Sequence, residues 1–502
     1  MDEASVENTR RVAEAFLAAQ EREAYAEALA QLAGNGEAAR GFDRLDLEAC
    51  LEAIVTARAQ ATKDADAEKT RRLDRLYSWL VREMTRREVR GIDARIAARG
   101  RDSVVSEIDG ERRPLRDLRW LLAGSSDAVQ RRALDEPRRA AALEQQALLA
   151  ERVGVFMGVG RGLGETSYRA LWARCTGADP AQLKELAEGV LVATDDMYRE
   201  VFGWTVRRTT GLSAEDAARY DVPHVFAARY AAAQALMSPA ELTRALRGLL
   251  EGIGLSLACE GRLTLGVEAA SGRPHRATVC AFAIPGDVRL VTQLEDPQRD
   301  LRPLLGALGG ALFLANIGAG QCFEDRWLGD GALDLTYRRI FEGLLLEEGF
   351  MTKGLGLGGA RGRDLARLAQ LENLYELRLA CGRLLYELEL YGGGALESMP
   401  ALYEQTLRRA ILVSTSPAFY LHDVREPFHS ALQLRARLFE CLFRAHLQHY
   451  FNADWWRNPR VGLFLKQEWG QGRRLTVEQR ARELGYEQLG AEPALKVFER
   501  CL

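Results

Sequence analysis

Residues 304–316 read Leu304-Leu305-Gly306-Ala307-Leu308-Gly309-Gly310-Ala311-Leu312-Phe313-Leu314-Ala315-Asn316. The run lies in a segment, 300–317, whose apolar spacing predicts a helix. Gly306 and Gly310 stand four residues apart, so they share one helix face. Glycine and alanine carry no side-chain donor atom and no titratable group, so Gly306, Ala307 and Gly310 can neither bind a metal nor move a proton. Glycine also costs about 1 kcal/mol against alanine in a helix interior.

The apolar residues of this run form a pattern that resembles the zinc helix of the oligoendopeptidase-like M3 metallopeptidases, which are gluzincins. Their matching segment resembles LLHELGHALHFAN. Leu304, Leu305, Leu308, Gly309, Ala311, Leu312, Ala315 and Asn316 keep that frame. Gly306 stands at the first zinc-binding His, Ala307 at the general-base Glu and Gly310 at the second His. In such helices two His at i and i+4 bind zinc and the neighbouring Glu acts as base. The zinc lowers the pKa of its bound water to about 7. The resemblance therefore implies the peptidase fold with the hydrolytic chemistry removed. Replacing two imidazoles by glycine leaves space that large neighbours are expected to fill, with Phe313 a candidate.

The likeness extends outward on both sides. Leu328-Gly329-Asp330 and Ile340-Phe341-Glu342-Gly343-Leu344-Leu345 resemble the helix that supplies the family's third ligand, a Glu; Leu335 occupies that position. Residues 281–291 resemble a strand at the family's cleft edge, and 451–459, with Asn452-Ala453-Asp454-Trp455-Trp456-Arg457-Asn458-Pro459, resemble its FG.DWWRNP signature. In 428–436, His429 and Gln433 stand where the family carries transition-state tyrosines. The pattern spans residues 70–495, and the order and spacing of the motifs carry more weight than any single one.

Composition is compatible with this reading. The 502 residues are 47% hydrophobic, ample for a large core, with a net charge of −3. No basic excess favours nucleic acid or a membrane surface. No run of about 18 apolar residues is free of charge, so no transmembrane span is expected. Met1-Asp2-Glu3-Ala4-Ser5 lacks the basic and apolar regions of a signal peptide. The eight cysteines are scattered and form no CxxC, which fits reduced thiols in a cytoplasm.

Most of the chain has helical periodicity: 8–33, 39–62, 68–98, 127–153, 180–211, 239–253, 300–317, 334–349, 363–392, 397–413, 428–450 and 476–485. Asp135-Glu136-Pro137 can start the helix reaching Val153, and the glycines of 154–167 are expected to break it. Short β-branched or apolar runs at 255–258, 263–267, 278–283 and 288–293 predict a small sheet over about 255–295. By the resemblance, the fold is a mostly α, gluzincin-like helical ellipsoid whose sheet lines a deep central channel. Residues 1–170 form an N-terminal helical region, a lid or accessory layer, and 171–502 the degenerate peptidase-like region.

Other candidates have plainer readings. The glycines of 353–362 follow a helix rather than a strand and lack Gly-Lys-Ser/Thr, so they read as an interhelical loop rather than a phosphate loop. His446 and His449 are three apart on a helix, with no acid or thiol cluster to complete a metal shell. Trp455 and Trp456 read as a packed turn rather than a ligand platform. Cys322 reads as a small buried hydrophobe. His422, Asp423 and His429 lie near the altered tyrosine segment, and a His beside an acid can serve as a general base. The same His422-Asp423 pair can equally cap the turn before the next helix.

The resemblance implies a catalytically inactive peptidase homologue, without zinc or another cofactor, that holds a peptide or protein segment in the inherited cleft. The alternative is a metal-independent enzyme of another class. In it the emptied cleft takes a small molecule or modified peptide, with His429, Gln433, His422 or Asp423 in new chemistry.

Overall fold

A computed structural model describes residues 2–28, 46–101, 104–108, 111–228, 239–267, 277–292 and 297–502. The chain forms two compact units. One comprises Met1–Val81, Ala231–Ala366 and Arg435–Leu489; the other comprises Arg82–Tyr230, Arg367–Leu434 and Gly490–Leu502. The chain enters each unit more than once, which differs from the division at residue 170 read from the sequence. Helix dominates both units, and the described residues include a three-stranded sheet and a separate two-stranded hairpin, Val104–Ile108 with Glu111–Pro114. The hairpin is not among the elements that the sequence pattern predicts.

In the first unit the helix Pro297–Asn316 packs along Gly331–Glu342. The latter helix starts where Asp330 caps it: the Asp330 carboxylate accepts from Ala332 N at 3.0 Å. The same carboxylate takes both arms of the Arg435 fork and the N–H of Val477. Arg435 also reaches Glu478, and Arg473 makes a two-toothed pair with Asp334 at 2.8 and 2.7 Å. Thr336 Oγ1 donates to Ala436 O at 3.3 Å. One capping residue thus joins three helices, because a charged cap can satisfy backbone amides and guanidinium together. The helix expected over 334–349 begins at Gly331 and yields to a tighter turn at Gly343–Leu346.

The sheet orders its strands as Leu263–Val267, Asp287–Thr292 and Thr278–Ala283, the first pair parallel and the other antiparallel. The run 255–258, expected as a strand, is not one. Gly254 takes φ +83° and Leu255 N donates back to Leu250 O, which terminates the helix Pro239–Ile253 in a left-handed cap. A side chain at Gly254 would meet the backbone of Pro459, so glycine is required twice over. The buried Leu255 is the apolar contact that accompanies such caps.

An outer strand, Thr278–Ala283, is covered by the helix Asp2–Ala28. Glu21 Oε2 accepts the N–H of Ala281 at 3.0 Å, and Tyr25 meets Phe282 edge-on at 5.3 Å. Arg289 lies over both rings. Burial pushes the Glu21 carboxyl above its ordinary range. An unpaired strand edge is a template for pairing, and here a side-chain carboxylate occupies part of it.

In the second unit the helix Ala128–Gly162 starts at the Asp127 cap and passes through Pro137 and Gly154 without a break. The expected start at Pro137 and break after Val153 are both corrected. Gly160 lies against the next segment: a Cβ there would sit 3.1 Å from the backbone of Ser167. The predicted helix 180–211 is two helices, Pro180–Ala193 and Asp195–Thr210. Arg378, fully buried, donates to Leu191 O, Thr194 Oγ1 and Ala410 O, so the break at Thr194 is stabilised by a cation on a last-turn carbonyl of the first helix.

Candidate functional site

The positions that would carry zinc chemistry all lie in the first unit. Gly306, Ala307 and Gly310 are buried on Pro297–Asn316. A Cβ at Gly306 would overlap the carboxylate of Glu342, and one at Gly310 would meet Arg338 Cγ at 3.1 Å. At Gly309 the obstruction is backbone: its Cβ would collide with the carbonyl of Tyr337 and lie 2.8 Å from the Phe341 ring. The absence of side chains on this face therefore draws Gly331–Glu342 in until its own side chains fill the room. Phe313, expected to fill it, packs instead on Tyr337 at 4.7 Å, with the Arg473 guanidinium 5.6 Å from its ring centre.

Zinc does not fit these residues. Gly306, Ala307 and Gly310 offer no donor, and Leu335, half-buried on the facing helix, offers none either. The carboxylate beside Gly306, of Glu342, is ion-paired with Arg302 at 3.4 Å, and the stem of Arg338 occupies the room beside Gly310. Among the described residues no group of three His, Cys, Asp or Glu side chains could hold a metal ion.

His422, Asp423, His429 and Gln433 lie in the second unit. His422 and Asp423 form a short turn, His422–Val424. The Asp423 side chain is buried, and its carboxylate accepts from Arg219, from Tyr403 Oη at 2.7 Å and from Arg383 Nη2 at 3.1 Å. Burial alone would raise its pKa, but the guanidiniums of Arg219 and Arg383 outweigh that and hold it well below the ordinary carboxylate range. His422 Nδ1 stands 4.0 Å from Asp423 Oδ1, too far for a hydrogen bond. Asp423 takes its close contacts from Arg219, Arg383 and Tyr403, and His422 stands at ion-pair distance and adds to the depression of the carboxyl. His429 and Gln433 are half-buried, one turn apart at the start of His429–Phe451.

Below this turn, Glu387 is buried and burial pushes its pKa up to about 8, against a hydrogen bond from Ser430. Sequence reasoning does not find Arg219, Arg383, Tyr403 or Glu387. Arg219 and Asp423 are 204 residues apart, and neither belongs to a spaced motif that could have joined them.

The remaining candidates resolve as packing. His446 is half-buried and stacked on Phe464, at 5.5 Å and 23°, and burial lowers its pKa; His449 is exposed. Trp455 and Trp456 are buried, with Trp455 Nε1 donating to Glu347 at 3.0 Å and Trp456 edge-on to Phe350. Cys322 is half-buried, and burial pushes its thiol up to about 11, which leaves little thiolate at neutral pH. The glycine-rich stretch is a π-helical turn, Phe350–Gly354, and a short link into the helix Gly359–Leu390.

No family model and no curated protein sequence matches the chain. Solved structures do. An oligoendopeptidase F structure at 3.1 Å is similar with a TM-score of 0.67 and 13% identity, over 90% of this chain and 81% of that one. An assigned oligoendopeptidase F from Bacillus anthracis gives 0.67 at 12% identity, over 92% and 84%. The M32 carboxypeptidase of Deinococcus radiodurans R1 gives 0.60 at 13% identity, over 99% and 98%. At these identities the likeness is one of fold: the chain has the mostly α architecture of these metallopeptidases, as the motifs implied. No described helix is long and apolar enough to cross a membrane.

Proposed function

We propose that this protein is a metal-free, non-hydrolysing member of the peptidase fold that holds a peptide or protein segment in its inherited cleft. The observation that carries the reading is the closed glycine face. Gly306 and Gly310 supply no ligand, and Glu342 and Arg338 fill the volume that imidazoles would need. Removing ligands abolishes hydrolysis, yet a peptide can still be recognised by side-chain pockets and backbone hydrogen bonds. Strand addition at Thr278–Ala283 competes with Glu21 for the N–H of Ala281.

The test combines metal analysis with binding. Purified, unchelated protein is assayed by plasma mass spectrometry, then for cleavage of quenched fluorescent peptides with and without added zinc. A random peptide library is screened for binding in parallel. The expected outcome is negligible zinc, no turnover in either condition, and enrichment of peptides with a shared sequence. About one zinc per chain together with turnover overturns the non-hydrolysing reading; a library without enrichment overturns the binding one. Restoring Gly306→His, Ala307→Glu and Gly310→His together is expected to destabilise the protein without producing stoichiometric zinc, since Leu335 still supplies no third ligand.

A further inference from the structure

The second unit contains a cavity of about 390 Å³ between the helix Ala128–Gly162, residues 218–220, and residues 414–419, with Glu404 on its wall. That volume is within the range of small-molecule sites, at the lower end. The lining carries four guanidiniums, of Arg132, Arg138, Arg139 and Arg219, and three carboxylates, of Asp135, Glu136 and Glu404.

Most of these charges are already matched. Arg138 pairs with Asp135 at 3.3 Å and lies 4.1 Å over the Phe419 ring. Arg139 pairs with Glu136 at 2.5 Å, and Arg219 pairs with Asp423 behind the wall. Two lining charges remain, of opposite sign. Neither Arg132 nor Glu404 has a salt bridge among the described residues.

A third group points the same way. Thr415 lines the cavity and is 3% exposed, and its Oγ1 has no hydrogen-bond partner. Its neighbours are committed: Ser414 Oγ donates to Ala217 O at 3.2 Å, and Ser416 Oγ accepts from Ala418 N at 3.3 Å. A buried hydroxyl without a partner is costly and marks a place where a polar ligand gains.

We propose that this cavity binds a small zwitterion of the amino-acid or dipeptide class. The ligand's carboxylate is held by Arg132, with Arg138 offering further N–H groups; its ammonium is held by Glu404, and Thr415 supplies a hydroxyl. A simple anion would leave Glu404 unmatched beside it, and a simple cation would leave Arg132 unmatched. The residual charge of the wall is a dipole, and a zwitterion is its complement. This goes beyond the peptide-holding function and stands or falls independently of it.

Isothermal titration calorimetry on the full chain tests the site with three probes: Ala-Ala, N-acetyl-alanine and inorganic phosphate. Saturable binding of Ala-Ala is expected, with N-acetyl-alanine and phosphate weaker. Arg132→Gln and Glu404→Gln should each weaken Ala-Ala by roughly tenfold or more, the loss of one charge-assisted contact. Thr415→Val should weaken it less. Thermal denaturation accompanies each variant, and Arg132→Lys and Glu404→Asp replace any that lose their melting transition. Absence of saturable Ala-Ala binding overturns the proposal, as does Ala-Ala binding that Arg132→Gln and Glu404→Gln leave unchanged. Phosphate or N-acetyl-alanine binding as tightly as Ala-Ala, unaffected by Glu404→Gln, overturns it in favour of a plain anion site.

Discussion

The glycine face of Pro297–Asn316 and the charge cluster around Asp423 are opposite cases. The glycine face is empty by residue type, yet it is crowded in space: Glu342, the Tyr337 backbone and Arg338 stand where Cβ atoms at 306, 309 and 310 would go. The charge cluster is reactive by residue type, a His beside an Asp, yet its carboxylate is spent on Arg219, Arg383 and Tyr403. A deleted side chain need not leave a hole, and an acid beside a histidine need not be free to react. In both places the deciding partners sit on other elements, and the residue run in question does not show that they will meet it.

Mutations can break or sharpen that contrast. The largest effect is expected at Asp423. Replacing it with Ala leaves the partly buried Arg219 and Arg383 without their anion, which should cost about 3–5 kcal/mol in urea unfolding. The sign with pH follows from its depressed pKa. Its contribution is fully present above the ordinary carboxylate value of 3.8 and is lost as pH falls through the lower folded value, so Asp423→Ala should flatten the acid limb of the stability curve. A loss below about 1 kcal/mol would show that the cluster is not saturated as described.

Gly309→Ala comes next, at about 2–3 kcal/mol, because the obstruction is a backbone carbonyl and cannot rotate away. If Gly309→Ala melts like the parent protein, the two helices are not held in such close register.

Glu387 tests the charged region with the opposite sign. Its folded pKa is raised from 4.5 to about 8, so between those values the native state binds more protons than the unfolded one. Stability should therefore fall as pH rises through that window, by up to about 1.4 kcal/mol per pH unit. Glu387→Gln should remove the slope; a parent curve that is flat from about pH 5 to 8 would rule out a buried, protonated Glu387.

The smallest effect is expected at Gly310→Ala. Arg338 Cγ at 3.1 Å is the stem of a flexible side chain and can yield, while alanine favours the helix by about 1 kcal/mol. A net change within about 1 kcal/mol, on the stabilising side, is the outcome to look for in a thermal melt. A large loss would mean that the Gly310 side of the face is as tight as Gly309.

The fold is legible wherever one helix or hairpin carries its own periodicity. Pro297–Asn316, Pro239–Ile253 and the paired strands Thr278–Ala283 and Asp287–Thr292 lie where the apolar spacing puts them. The misses share a cause. Gly154 does not break its helix, and Leu255 caps a helix instead of starting a strand, because tertiary neighbours decide what a short ambiguous run becomes. The division into units is not legible, since it depends on segments as distant as Met1–Val81 and Arg435–Leu489. Of the candidate residues, the glycines can be read as chemically mute from residue type alone. Their close packing, and the saturation of Asp423, depend on partners that sequence spacing does not encode.

The bond between Glu21 and Ala281 joins residues 260 positions apart. During synthesis, at about 5–20 residues per second, the helix Asp2–Ala28 emerges roughly 13–50 s before the strand it covers. For that interval its strand-facing side has nothing to dock on, and it must wait bare or in the keeping of a chaperone. When the strand does emerge, a carboxylate is already at hand for its Ala281 N–H, so part of this sheet edge can be closed before another chain finds it.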